Sequence, residues 1–305
     1  MMDKAPAAAR AAPPETGQST KKMSSRPNLM QGMKPIRSLF FRVSSSWHFW
    51  QGGLTLGIHR SLEAANMQPR DKSLLRRLWW ILVIRDASCG ALFGRPFRIN
   101  LDLCDVEMFR PEDFQHDDCS PEFANHPRRL HYSLYQIHMA RLSLILRRIV
   151  GERFGAARRS PDTATSLANL NESLRLWSTK LPPEIRWDEK LDGTNPFALC
   201  LAILHSHHLI LANIGQPAAG SPSLLGDSIL CNAAGNSKLV ALAARRIMTL
   251  AGIIVRKSMQ LVMPQEAFPG IFLAEVVFLL AAAEQTARHV AAGERRPDQL
   301  PDHMA

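Results

Sequence analysis

The sequence predicts an all-α, multi-helix protein, and three features carry that expectation. Apolar residues return at spacings of three and four in one segment after another, as they do on a helix with one face in a core. No stretch alternates apolar and polar residues in the manner of a half-buried strand. Leu, Ala and Ile dominate the apolar set while aromatics make up 7% of the chain, a composition that suits helices. With 305 residues, 46% hydrophobic and 21% charged, the chain has the make-up of a globular protein. Its length allows roughly three quarters of the unfolded surface to be buried, in one domain or in two closely packed halves.

Taken in order, residues 1–43 read as a basic, disordered leader, where Ala, Pro, Ser and Lys prevail and little can be buried. The leader has no apolar core of a secretory signal. Asp3, Glu15 and the early prolines disfavour an amphipathic presequence helix, and Lys21-Lys22 is short for a nuclear signal. A helical domain is expected over 44–292 and a flexible tail over 293–305. Asp71 or Ser73 can cap a helix running to about Cys89. Gly90, Gly94 and Pro96 then open an irregular segment that lasts to about Phe114. From Leu130 to about Phe154, the residues Leu130, Leu134, Ile137, Leu144, Ile145 and Ile149 suit a period of 3.6. Ser160-Pro161-Asp162 joins a cap to a proline ahead of the stripe Leu167, Leu170, Leu174, Trp177 and Leu181, which Pro182-Pro183 ends. Further helices are expected near 196–214, 236–259 and 267–292, the last with Phe272, Val276, Leu279 and Ala283 in register. The longest membrane candidate, Ile271 to Ala283, has 13 residues including Glu275. That is short of the ~20 needed to span a bilayer, so no membrane association is expected.

The net charge of +10 is unevenly spread. Residues 1–46 hold eight Lys/Arg against Asp3 and Glu15, a net +6, and residues 128–159 hold eight Arg against Glu152, a net +7. The remainder is therefore −3, and within 98–122 eight acids face two arginines. A basic chain can attract nucleic acid by counterion release. Here the positive charge is divided between a tail and one helix. The arginines of 128–159 are accordingly read as a solvated helix face or as partners of the acidic segment.

Chemical candidates are few. Cys89, Cys104, Cys119, Cys200 and Cys231 are scattered with no Cys-x-x-Cys, whereas a zinc site needs close ligand pairs. Five isolated cysteines fit a reducing compartment, each as a small buried hydrophobe. His205, His207 and His208 near Cys200 could suggest a metal, since His205 and His208 sit one turn apart. Without a carboxylate at a recognised spacing, a packed histidine cluster is the default. Asp102, Asp105 and Glu107 could serve as acid and base. Their neighbours Arg95 and Arg98 favour charge pairing that pins a loop instead, and Arg85-Asp86 is expected to anchor the preceding helix in the same way. No nucleophile elbow, dinucleotide fingerprint, P-loop or His-Glu-x-x-His appears. No catalytic, cofactor, metal or ligand residue is therefore assigned, and the chain is not read as an enzyme.

The densest pattern lies between Gly57 and Phe114. Arg76-Arg77-Leu78-Trp79-Trp80 places two of six tryptophans side by side in an apolar run closed by Arg85-Asp86. Two such side chains imply deep burial. Leu56-Gly57-Ile58-His59-Arg60 lies upstream; Gly94-Arg95-Pro96 and Cys104-Asp105-Val106 follow. Gly94 can free the backbone for a turn, Pro96 stops the helix resuming, and Arg95 is placed to pair with Asp86. This series, in this order, resembles the fungal-specific transcription factor domain, the middle homology region of fungal binuclear zinc-cluster regulators. The resemblance is strong over 54–114 and looser over the rest of 44–290. Leu174-x-x-Trp177-x-x-x-Leu181-Pro182 is similar to a second family element. The end of the helix near 205–217 departs: the family's Leu-His-Arg-Pro-like tetrad is replaced by Asn213-Ile214-Gly215-Gln216-Pro217.

The resemblance implies a regulatory domain that lacks the family's zinc-cluster DNA-binding segment and has no cofactor of its own. The family's several helices ahead of the element seen here at Trp47 or Trp50 are replaced by a polar leader. The expectation is a naturally reduced regulator, or a start codon or splice site chosen wrongly, with the first helices missing. The implied role is nuclear regulation of transcription of a metabolic or secondary-metabolite gene cluster. Implied partners are other transcription regulators or a homodimer partner, a small-molecule effector, and DNA only indirectly or through a missing segment. A non-DNA-binding protein that modulates a full-length regulator is the alternative, and an unrecognised α-helical enzyme, supported by the histidine cluster, is a third class.

Overall fold

Helix formation follows the apolar periodicity closely. In the computed structural model the described residues are 57–115, 127–155, 163–187, 195–215 and 236–293. They form six α-helices: α1 (Pro69–Phe93), α2 (Pro127–Phe154), α3 (Thr163–Thr179), α4 (Pro196–Asn213), α5 (Ser237–Arg256) and α6 (Phe268–Gly293). Short 3₁₀ turns fill several connections, and no strand occurs among the described residues. The leader expected over 1–43 and all but the first residue of the tail expected over 293–305 lie outside them, as do Cys119, Cys231 and the Trp47 and Trp50 positions.

Two helix starts differ from expectation for a physical reason. α1 begins at Pro69, two or more residues before Asp71 or Ser73, and Gln68 gives it no side-chain cap. Proline at the first helical position sacrifices no hydrogen bond, because that N–H would be unpaired anyway. Ser73 is then free to donate its hydroxyl hydrogen to the Asp113 carbonyl. α2 likewise starts at Pro127, three residues before Leu130. α1 runs on past Cys89 to Phe93, and Gly94 at φ 60° closes it in the left-handed conformation that glycine adopts without penalty. α4 has the cap its sequence suggests, with the Asn195 side chain accepting from the Phe197 N–H at 3.0 Å.

The helices pack around α4. α1 lies on α2, α2 on α3 and α4, and α4 also contacts α3, α5 and α6, while α5 and α6 pack together. α4 is apolar around its whole circumference, which requires cover on every side. It has that cover: from Ala198 to His208 every residue is buried. Its outer core joins Leu199, Ile203 and Ile210 to Ile247 and Leu250 of α5 and to Ala274 and Val277 of α6. α6 approaches α4 closely where a Cβ on Gly270 would lie 3.0 Å from the His207 Cβ.

The register proposed for α6 points the other way. Phe272 and Leu279 are 66% and 70% exposed, whereas Ala274 and Val277 are buried. The expectation about its length also needs correction. Gln265–Thr286, 22 residues, and Pro196–Asn213, 18 residues, are each long and apolar enough to cross a membrane by length and composition. The second is a buried core helix; the first is largely uncovered.

Candidate functional site

The Trp pair, the segment before it and the segment after it form one construction. Trp79 and Trp80 are 2% and 6% exposed. The Trp80 indole donates to the Glu107 carbonyl at 2.8 Å, so its one polar atom is satisfied inside the fold. The rings continue as a chain of contacts: Trp80 to Phe109 (6.2 Å), Phe109 to Phe114 (5.6 Å), Phe114 to Tyr132 (6.2 Å) and Tyr132 to Phe197 (5.9 Å). This aromatic run links α1 to α2 and α4 through the irregular segment. Ile58 is 1% exposed and His59 lies 6.5 Å from Trp79 between ring centroids, so the upstream Gly57–Arg60 turn closes over the same core.

Charges and hydrogen bonds fix this arrangement. Asp105 accepts the Ser61 N–H at 2.7 Å and pairs with Arg60 at 3.3 Å. Glu107 accepts the Ser61 hydroxyl at 2.5 Å, the chief reason its carboxyl is held below the usual carboxylate range. Arg76, buried in α1, reaches Asp113 at 2.5 Å and Glu63 at 2.7 Å. Asp105 and Glu107 therefore bind the segment ahead of α1, and Glu63 and Asp113 bind α1 itself. Of these charges Arg76 and Asp113 form the buried pair, and a buried charge is costly unless paired, so this contact pins the end of the segment to α1.

Arg85 and Asp86 divide their charges between distant parts of the fold. The Asp86 carboxylate accepts the Arg98 and Ile99 N–H groups at 3.0 and 3.1 Å and pairs with Arg147 of α2 at 2.7 Å. Arg147 also donates to the Ile99 carbonyl and lies over the Phe97 ring at 4.1 Å. The expected Arg95–Asp86 pair is thus replaced by Arg147–Asp86, and Arg95 is exposed. Arg85 reaches the turn before α6, at 2.7 Å from Glu266 and 2.8 Å from Gln265. Sequence reasoning missed both partners, since Arg147 and Glu266 lie 61 and 181 residues away.

The arginines of α2 also depart from a solvated face. Besides Arg147, Arg129 donates to the Phe114 carbonyl and Arg153 to the Ile214 carbonyl at 2.7 Å. Only Arg141 and Arg148 are exposed among the described arginines of this helix.

The histidine cluster is a packing feature. His205 stacks on Trp177 (5.7 Å, 14° between planes) and contacts Trp187 at 5.4 Å, while Arg246 lies over Trp187 at 5.1 Å. On the other face of Trp177's surroundings, His138 meets that ring edge-on at 6.2 Å. Burial is the main cause that pushes His138, His205 and His207 down to about 4, with Arg141 acting on His138 and Arg246 on His205 in the same direction. His208 is pushed well below its ordinary value by burial and by its histidine neighbours. Burial also pushes the Cys200 thiol up to about 12, which keeps it protonated. Among the described residues no group of three or more His, Cys, Asp or Glu could hold a metal ion. At the departure from the family tetrad, Asn213 is buried and exchanges side-chain hydrogen bonds with Asn171 at 2.8 and 3.0 Å, tying α4 to α3.

Comparison with known proteins falls on this construction. Residues 51–179, which take in the Trp pair, the clamped segment, α2 and α3, match the fungal specific transcription factor domain. The acetamidase regulatory protein of Aspergillus oryzae is 31% identical over 186 residues, 59% of this chain and 22% of that protein. Cutinase transcription factor 1 alpha of Fusarium vanettenii is 28% identical over 152 residues, 48% of this chain and 17% of that protein. A transcriptional regulatory protein of Schizosaccharomyces pombe is 26% identical over 204 residues, 64% of this chain and 24% of that protein. The chain thus spans about a quarter or less of the length of these relatives. No solved structure matches. Residues 51–179 are thus similar to the fungal specific transcription factor domain, and the relatives that match this chain bear the names of transcription regulators.

Proposed function

We propose that this protein regulates transcription in the nucleus, through contacts with other regulators, and that it is not an enzyme. The match over residues 51–179 carries this reading. Two relatives bear names tied to the use of a nutrient or polymer, acetamidase and cutinase, which supports control of a metabolic or secondary-metabolite gene set. The buried ion pairs and aromatic run support a rigid domain that presents surfaces, with a small-molecule effector as a further partner. Direct, sequence-specific contact with DNA is not part of the reading, because the sequence holds no Cys-x-x-Cys. DNA is reached through a partner or through a segment not contained in these residues.

Deletion of the gene followed by transcript profiling tests the reading, together with the position of a fluorescent fusion in the cell. A coordinated fall in a neighbouring gene set is expected for a positive regulator, and induction for a modulator that restrains one. An unchanged transcriptome with a single accumulated metabolite would overturn the reading in favour of an enzyme.

A further inference from the structure

Helices α1 and α5 both stop on a residue in the left-handed conformation, and the two residues differ. Gly94 closes α1 at φ 60°, where glycine meets no penalty. Ser258 follows α5 at φ 54°, and it is the one non-glycine residue with a positive φ among those described. Its N–H donates to the Val255 carbonyl at 3.0 Å, and the Met259 N–H donates to the Ile254 carbonyl at 2.9 Å. These are the paired bonds of a helix stop that ordinarily takes glycine. A serine Cβ strains that backbone. The Ser258 hydroxyl does not offset the strain, because it makes no hydrogen bond among the described residues. Ser258 is exposed, and so are Arg256 and Lys257 just before it.

We propose that Ser258 is a phosphorylation site for a protein kinase that selects basic residues ahead of its serine. A backbone outlier whose side chain has no task inside the fold points to a use outside it. Arg256 and Lys257 offer two cations to the acidic groups of such a kinase. The strained stop also eases local opening. Releasing Ser258 from φ 54° removes the strain, and Val255, 59% exposed, gives up little burial when the last turn extends into a kinase cleft. In the transfer, the Ser258 Oγ forms a bond to the γ-phosphorus of a nucleoside triphosphate. The bond from that phosphorus to the bridging oxygen breaks, the hydroxyl proton passes to the kinase's base, and the nucleoside diphosphate leaves.

The product alters the fold locally. A phosphoserine brings about two negative charges to the carbonyl end of α5, where a helix favours cations. The carbonyls of Ile254 and Val255, which accept the two stop bonds, are the nearest groups of that end. Met259 and Met263, which pack on the core from the connection to α6, then lose part of their hold.

The test is incubation of the purified full chain with a cyclic-nucleotide-dependent serine kinase, magnesium and ATP, followed by mass spectrometry of its peptides. Each serine is then read by itself, and Ser160, which follows Arg158-Arg159, serves as the comparison. Phosphate on Ser258 is expected in the wild type and its loss in Ser258→Ala. The Arg256→Ala, Lys257→Ala double variant should be slowed at Ser258 by roughly tenfold or more, for two lost charge-assisted contacts. Ser258→Gly should melt above the wild type, which relieves the strain, and take no phosphate there, so the loss cannot be laid to unfolding. The phosphorylated wild type should exchange its amide hydrogens faster over 255–263 than the unmodified protein, and unchanged exchange would overturn the local loosening. Phosphate confined to other serines would overturn the proposal. So would phosphorylation of a peptide of residues 252–264 but not of the folded chain, or a rate at Ser258 indifferent to both cations. None of these readouts refers to transcription, so a negative result leaves the regulatory reading standing.

Discussion

Helices α4 and α6 are both apolar around their whole circumference, yet α4 is enclosed by α2, α3, α5 and α6, whereas α6 packs mainly on α4 and α5. Composition alone treats them as equals. Topology separates them, because α4 is placed in the middle of the helix order in space and α6 at its edge. An apolar residue is thus stabilising in α4 and indifferent on the exposed side of α6, even when the residue type and the helical spacing are the same.

The largest effect should come where α6 is tied to the rest of the fold. Arg85→Ala leaves the Glu266 carboxylate buried without its cation, and a loss of about 3–5 kcal/mol is expected in chemical denaturation. A loss near zero would mean that the α6 entry turn is loosely held, and the contrast between the two helices would lose its anchor. The direct comparison follows. Leu201 in α4 is 0% exposed, so Leu201→Ala should cost about 2–5 kcal/mol, while Leu279→Ala in α6, at a 70% exposed position, should fall within about 0.5 kcal/mol of the wild type. Equal losses at the two sites would break the comparison outright.

Acid should act on α4 and spare α6. His205 has its folded value lowered from 6.5 to about 4, chiefly by burial, so the unfolded chain binds the proton that the folded chain refuses. The stability tied to this neutral side chain is complete above pH 6.5 and is lost as pH falls towards 4, by roughly 3 kcal/mol for a displacement of this size. His205→Phe, which keeps a ring against Trp177, should flatten that limb of a stability–pH curve measured between pH 7 and about 4. An unaltered limb would show that other groups carry the acid response. The smallest effect concerns the irregular segment: Arg95→Ala should change stability by no more than about 0.5 kcal/mol, against a clear loss for Arg147→Ala, because Arg147 holds Asp86.

Local information made the helices legible. All six described helices were expected near where they lie, α2 and α3 from spacings of three and four, and caps, Pro and Gly marked several ends to within a few residues, because those signals act on neighbouring peptide groups. The burial of Trp79 and Trp80 was legible too, from their size. Charge partners were not. Asp86 sits beside Arg85 and near Arg95 in sequence, but helix geometry sends Asp86 towards α2 and Arg85 towards α6. Which face of α6 meets the core was also hidden. Phe272 and Leu279 share helical spacing with each other, and so do Gly270, Ala274 and Val277, the smaller set that packs because α4 comes close at Gly270. The departure at Asn213 was visible as a changed motif, but its hydrogen-bond exchange with Asn171 needs two helices brought together.

The clamp and the aromatic run have a consequence for where this protein can be cut. The match to the domain ends at residue 179, the last residue of α3. A fragment stopped there would strip Tyr132 and Tyr135 of Phe197, Trp177 of His205, and Arg85 of Glu266. Tyr132 would keep Phe114 and Trp177 would keep His138, but each would lose its partner in the later helices. A fragment of residues 51–179 is therefore expected to be less stable than one that also holds α4 and the turn before α6.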